Sequence, residues 1–227
     1  MRKIFLIILP LLCSEHSKAQ EIFSAGDDRI FYGSLNLGAN FSQVDGDGFS
    51  GYHKVGIAGG ASVYVHFWTI FAASLGLGYA QKGSHEARIS ETSIGPAVFR
   101  YRAHLQYAEV PLLLHLLLDC PNTVLGKIRY SAGFSYSRLL SSTETSEDIN
   151  TIRISPELYP FRKQDWSGIV GLGYRIYGAW FLSGQYQYTI GSIRSEPYIP
   201  PGYGQGRQRN NVMTLRLMYI IGSARQQ

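Results

Sequence analysis

The sequence predicts an all-β protein: an eight-stranded, antiparallel, up-and-down barrel that crosses a membrane on its strands. Three observations lead there. Eight segments alternate apolar and polar residues with a period of two. The connections between them alternate between short and long. The only long apolar run lies at the N-terminus, where it has the form of a cleavable export leader rather than a membrane helix.

In the leader, Arg2 and Lys3 precede an apolar run over residues 4–13 that is broken by Pro10. Ser17 and Ala19 then stand three and one residues ahead of a cleavage point before Gln20. Residues 1–19 are therefore expected to be a signal peptide and residues 20–227 one barrel domain. Cys13 opens a lipoprotein alternative, but Leu12 occupies the place where that route needs a small residue. Without Arg2, Lys3, Lys18 and Glu15, the 21 basic and 16 acidic residues reduce to a net charge of +3, which gives no reason to expect nucleic acid as a partner. Only Cys120 remains beyond the leader, so no intrachain disulfide is expected. A closed ring of backbone hydrogen bonds is the stabilising alternative. The 25 Gly, 16 Tyr and 11 Phe, with 16% charged residues, suit strands better than helices.

The first run sets Phe31, Leu35, Leu37, Ala39 and Phe41 against Tyr32, Ser34, Asn36, Gly38 and Asn40. The second sets Val55, Ile57, Ala61, Val63, Val65 and Phe67 against Gly56, Ala58, Gly60, Ser62 and His66. The third sets Phe71, Ala73, Leu75, Leu77 and Tyr79 against Ala72, Ser74, Gly76 and Gly78. The fourth is more apolar, with Ala108, Val110, Leu112, Leu114, Leu116 and Leu118 opposed to Tyr107, Glu109, Pro111, Leu113 and His115. Pro111 argues against a helix there, and its missing N–H predicts a bulge or local distortion. The fifth opposes Ile128, Tyr130, Ala132, Phe134 and Tyr136 to Arg129, Ser131, Gly133 and Ser135. The sixth opposes Trp166, Val170, Leu172, Tyr174 and Ile176 to Ser167, Gly171, Gly173 and Arg175. In the seventh, Trp180, Leu182, Tyr186, Tyr188 and Ile190 oppose Ser183, Gln185, Gln187 and Thr189. The eighth sets Met213, Leu215, Leu217, Tyr219 and Ile221 against Thr214, Arg216 and Met218.

Short links fall near residues 68–69, 119–127 and 177–179, and long ones at 42–54, 83–102, 141–164 and 191–210. An even strand number with this rhythm places both termini on the short-turn side. Alternation alone does not say which parity faces out, and a soluble lipocalin-like barrel in the periplasm, with its apolar face around a ligand, stays open as the alternative. The polar parity is mostly Gly, Ser, Asn and Gln, which suits a narrow lumen. Trp68, Trp166, Trp180, Tyr177 and Tyr219 stand at run ends, where interfacial aromatics anchor.

Four stretches carry a family resemblance. They are Leu75-Gly76-Leu77-Gly78-Tyr79-Ala80-Gln81-Lys82-Gly83, Tyr107-Ala108-Glu109-Val110-Pro111-Leu112-Leu113, Gly171-Leu172-Gly173-Tyr174, and Gln185-Tyr186-Gln187-Tyr188 with Ile190-Gly191. The Ala19-Gln20 junction adds to them. Together they resemble the outer-membrane β-barrel domain family of the PorT-like, Bacteroidetes type, over nearly all of the chain beyond the leader. The resemblance implies an eight-stranded barrel in the bacterial outer membrane and no defined activity. One departure is the C-terminus, which runs past Tyr219 to Gln227 without the usual terminal aromatic.

The polar parity places Glu109, Arg129, Arg175 and Arg216 in the lumen, read as a charge network that closes a barrel too narrow for a channel. Glu109 and Arg216 lie near the middle of strands on opposite sides of the ring and are expected to pair, directly or through a third lumen residue. His115 with Glu109 and a lumen Ser could form a lipid-hydrolase set, the third and weakest reading, because no motif fixes their geometry. Arg194, Tyr198, Tyr203, Arg207 and Arg209 in the last long connection form a candidate contact surface for lipopolysaccharide phosphates or an envelope partner. His53, His85 and His104 lack ligand spacing, and Asp45-Gly46-Asp47-Gly48 lacks the later ligands of a calcium loop and reads as a turn. No catalytic set, cofactor or metal is expected. The function expected is a structural or interaction role in the outer membrane.

Overall fold

The computed structural model describes residues 31–47, 51–68, 70–92, 95–117, 127–147, 157–194, 198–199 and 207–221. The proposed leader, Tyr203 and the C-terminal tail lie outside them. Eight strands follow in chain order: β1 (Phe31–Asp45), β2 (Lys54–Trp68), β3 (Phe71–Thr92), β4 (Gly95–Leu117), β5 (Ile128–Glu147), β6 (Gln164–Tyr177), β7 (Trp180–Thr189) and β8 (Arg209–Ile221). Each pairs antiparallel with the next. The sheet closes where β1 meets β8, from Gly33 opposite Ile221 to Asp45 opposite Arg209. Closure leaves the lower wall without an open edge, the condition for a sheet to stand in hydrocarbon.

Side chains of one parity point outward along every strand. Leu37, Leu77, Leu112, Phe134, Leu172 and Leu217 are exposed on the outer wall, with Leu77 at 67%. The opposite parity is buried inside. An apolar exterior around a partly charged interior is the reverse of a lipocalin, so the soluble alternative is overturned. Two aromatic levels bound the apolar band. Trp180 with Tyr219 (4.9 Å between ring centroids) and Phe67 with Phe71 (6.4 Å) stand at the short-turn end, and Tyr136 with Trp166 (5.0 Å) at the long-loop end.

Of the connections expected as long loops, 83–102 is almost wholly strand and 141–164 begins as strand. β3 and β4 stay paired up to Thr92 opposite Gly95, and β5 continues to Glu147 opposite Arg100. β2 leaves β3 at Ala58 opposite Ala80, and β6 joins β5 only at Gln164 opposite Arg138. Beyond those points β3, β4 and β5 project as a three-stranded sheet. The distortion expected at Pro111 is a local break in pairing rather than a bulge: the β3–β4 ladder is interrupted between Leu75 opposite Leu112 and Gly78 opposite Glu109, with the same register on both sides. The bulge in β4–β5 lies at Gln106/Tyr107. Gly76 makes the room, since a Cβ there would stand 2.9 Å from the Pro111 ring.

Candidate functional site

The lumen is filled in layers. At the short-turn end Tyr32, Tyr64, Phe181, Met218 and Ile220 form an apolar plug. At the long-loop end Val44, Tyr101, Leu105, Tyr107, Phe161 and Ile193 form a second one. Between them lies the charge layer. Glu109 is 5% exposed, and its Oε1 lies 2.5 Å from the Lys82 ammonium while Oε2 lies 4.0 Å from Arg216. Ser137 Oγ and Gln187 Nε2 each donate to Oε1 at 3.2 Å. β3, β4, β5, β7 and β8 thus converge on one carboxylate, which satisfies the rule that a buried charge must be paired and hydrogen-bonded.

Of the four lumen residues expected, the structure brings Glu109 and Arg216 together and leaves Arg129 and Arg175 elsewhere. Arg129 is buried with its guanidinium 4.1 Å above the Phe181 ring, within the short-turn plug. From Ser137, which touches Glu109, to Arg129 is roughly 26 Å of strand, too far for one contact network. Arg175 is half-buried two residues from the end of β6. The expected single network is therefore two separate levels. Lys82 was missed because it falls between Tyr79, the last residue of the third alternating run, and the loop expected from residue 83.

A further polar level was not foreseen. Asp165 is buried and accepts from Thr189 Oγ1 and Asn210 Nδ2, each at 3.1 Å. Asn210 Nδ2 also reaches Tyr107 Oη at 3.4 Å, and Thr214 Oγ1 donates to Asn40 Oδ1 at 2.7 Å. These bonds tie β1, β4, β6, β7 and β8 across the lumen.

The hydrolase set is not assembled. Ser74 Oγ and His115 Nε2 are 2.7 Å apart and buried, but Glu109 is roughly 20 Å further along the same strand and engaged elsewhere. Among the described residues no group of three or more His, Cys, Asp or Glu side chains could hold a metal ion.

The candidate loop surface divides as well. Arg207 and Tyr198 are exposed, and Arg209 donates Nε to Gly191 O at 3.1 Å with its guanidinium 5.9 Å from the Tyr188 ring. Arg194, expected with them, is instead fully buried. Its two terminal nitrogens donate to Glu144 at 3.1 and 2.5 Å, it reaches Tyr159 O at 2.8 Å, and it lies 3.7 Å above the Phe161 ring. Tyr101 Oη completes the carboxylate at 2.5 Å. Backbone bonds from Arg162 N to Ile193 O and from Ile193 N to Gln208 O lay these segments over the mouth. The correction has a physical cause: a guanidinium whose terminal nitrogens are met by a bidentate carboxylate and whose face is met by an aromatic ring can leave water.

The sequence profile of the outer membrane protein beta-barrel domain family matches residues 25–195. Comparison with curated protein sequences gives no match. Among solved structures the chain is similar to Ail, the attachment invasion locus protein of Yersinia pestis, with a TM-score of 0.43 and 11% identity over 85% of this chain and 100% of Ail. It is also similar to the outer membrane protein OprG from Pseudomonas aeruginosa, with a TM-score of 0.38 and 12% identity over 84% and 95% of the two chains. For Neisserial surface protein A the values are 0.32 and 11%, over 84% and 97%. With an apolar outer wall, a closed eight-stranded sheet and a profile match over most of its length, this is a bacterial outer-membrane protein, and the chain belongs to the outer membrane protein beta-barrel domain family.

Proposed function

We propose that the protein is a closed barrel with a structural or interaction role in the outer membrane, working through its extracellular end rather than as a pore or an enzyme. The observation that carries this reading is the filled lumen: two apolar plugs enclose the Glu109–Lys82–Arg216 layer, and the Arg194–Glu144 pair roofs it. An eight-stranded ring leaves room for side chains and little else. Its surroundings are lipid and lipopolysaccharide at the wall and a protein partner at the long-loop end, where Tyr198, Arg207 and the β3–β4 hairpin are the candidate contacts. Tyr203 belongs to the same proposal by sequence. Placement among PorT-like members rests on the four short motifs alone.

Planar-bilayer recording of the refolded protein, beside cross-linking on intact cells, tests the reading. The expected result is a bilayer without stable conductance steps and a cross-linked partner lost when the β3–β4 hairpin is shortened. Stable open steps in the wild type would overturn the closed lumen. Turnover of phospholipid by the refolded protein would overturn the non-enzymatic role.

A further inference from the structure

β3 outruns the strand beside it. β2 leaves β3 at Ala58 opposite Ala80 and ends at Lys54, whereas β3 runs on to Thr92. Among the described residues no strand pairs with β3 on that side above Ala80. The first two carbonyls there are met by β1 side chains: Gln81 O accepts from Asn40 Nδ2 and Gly83 O from Ser42 Oγ, each at 3.0 Å. At the short-turn end Leu117 N donates to Ile70 O, and the same register holds up to Thr92 opposite Gly95. Even-numbered residues therefore turn their backbone groups to β4, and odd-numbered ones turn theirs to the side that β2 has left. Ala87, Ile89 and Glu91 present N–H and C=O groups along that side. Ala87 lies eight residues beyond Tyr79, where the outward apolar parity ends, so it stands roughly 20 Å above the apolar band once strand tilt is included. That height is clear of the lipid headgroups and open to soluble polypeptide.

The foot of this edge is basic. Arg102 of β4 is exposed and lies 3.4 Å from the ring of His85, its opposite residue on β3. Lys54, where β2 stops, is close enough to Arg102 and His104 for their charges to interact. A strand laid against β3 would continue the line of β2, with its membrane-side end among these four groups. We propose that the open edge of β3 over residues 86–92 takes up an extended, acidic polypeptide segment of a partner protein as an added strand. Backbone pairing supplies the affinity, and the cations at the foot select the sequence. A second copy of this chain in the same membrane carries the same cations at the same height, and like charges disfavour it. The site rests on the reading that the protein works through its extracellular end, and it names the edge used and the chemistry of the partner.

The test uses the full protein in phosphatidylcholine nanodiscs and a fluorescent decapeptide rich in valine and threonine with two aspartates near its C-terminus. One comparison peptide has lysine for aspartate, and another keeps the aspartates but has its central amides N-methylated. Fluorescence anisotropy should show the acidic peptide binding about tenfold more tightly than either. Ala87→Pro with Ile89→Pro removes two edge N–H groups and no bond to β4, and should weaken acidic-peptide binding about tenfold. Arg102→Ser should narrow the preference for aspartate over lysine while keeping the loss on N-methylation. Should the proline variant not refold, the N-methylated peptide carries the test on the wild type. N-methylated peptide that binds like its parent reveals attraction by charge alone and overturns the added strand. Equal binding of the acidic and lysine peptides overturns the acidic partner. On intact cells, a cross-linked partner retained by the refolded proline variant overturns the edge and leaves the extracellular role standing. Peptide binding as expected, with no cross-linked partner in the wild type, overturns that role and not the edge.

Discussion

Replacing Glu109 by Ala takes away the carboxylate on which Lys82 and Arg216 converge, and Lys82 is wholly enclosed. An uncompensated buried cation typically costs about 3–5 kcal/mol, so the Glu109→Ala variant should lose that much unfolding free energy. The two cations do not share the loss equally. At equal effective dielectric, attraction at 2.5 Å is about 1.6 times that at 4.0 Å, and only the Lys82 contact is short enough for a charge-assisted hydrogen bond. Arg216 also keeps 14% side-chain exposure and can recover some hydration. Adding Lys82→Met to Glu109→Ala should therefore return about 1–3 kcal/mol, and adding Arg216→Met should return less. Urea unfolding of these variants and of Lys82→Met alone, refolded in lipid vesicles and followed by the fluorescence of the wall tryptophans Trp68, Trp166 and Trp180, closes the cycle. Losses additive within about 0.5 kcal/mol for Glu109 and Lys82 would refute the reasoning.

Other outcomes follow from the same geometry. Leu172→Arg or Leu217→Arg, on the lipid-facing wall, should each cost about 2–4 kcal/mol by the same urea titration, and a cost near zero would put that wall out of contact with lipid. Gly38→Ala should disrupt the β1–β8 closure, because its Cβ would stand 2.0 Å from Leu215 O and 2.6 Å from Arg216 Cα. Gly184→Ala, with open space at the Cβ, should refold like the wild type, and heat-modifiable electrophoretic migration distinguishes the two. Arg194→Ala should strand Glu144 and loosen the roof, raising the rate of protease cleavage within 157–194 severalfold while the barrel below stays intact. An unchanged cleavage pattern would mean that the pair does not hold the roof.

Period-two alternation made the lower wall legible, because lipid imposes a strict apolar parity on every strand it touches. That constraint ends where the strands leave the bilayer. In the upper parts of β3, β4 and β5 the outward face is no longer apolar while Tyr101 and Leu105 of β4 turn inward onto the upper plug, so segments such as Ser141-Ser142-Thr143 show no apolar-out contrast to read. Lys82 fell at that boundary and was lost with it. Glu109 and Arg216 could be brought together from the sequence because parity gave the face and ring position gave the opposition. Arg129 and Arg175 shared the parity but not the height, which depends on register and stagger that alternation does not contain. Phe181 escaped notice for the opposite reason: an aromatic beside Trp180 at a strand end looks like part of the interfacial belt, yet its parity turns it inward onto Arg129. Arg194 required contacts among β4, β5 and two separate connections, none of which is local.

The composition of the charge layer also bears on the order in which the barrel can be put together. Lys82 and Glu109 sit on consecutive strands, so a single hairpin already holds the acid beside its cation. Gln187 arrives with the last hairpin, and Arg216 reaches Glu109 across the ring only when β8 has swung round to β1. An assembly intermediate that contains β3 and β4 but has not yet zipped its seam therefore carries a neutral ion pair rather than a naked carboxylate into the membrane. Arg216 then acts as the late-arriving clasp, engaging only once the ring is complete.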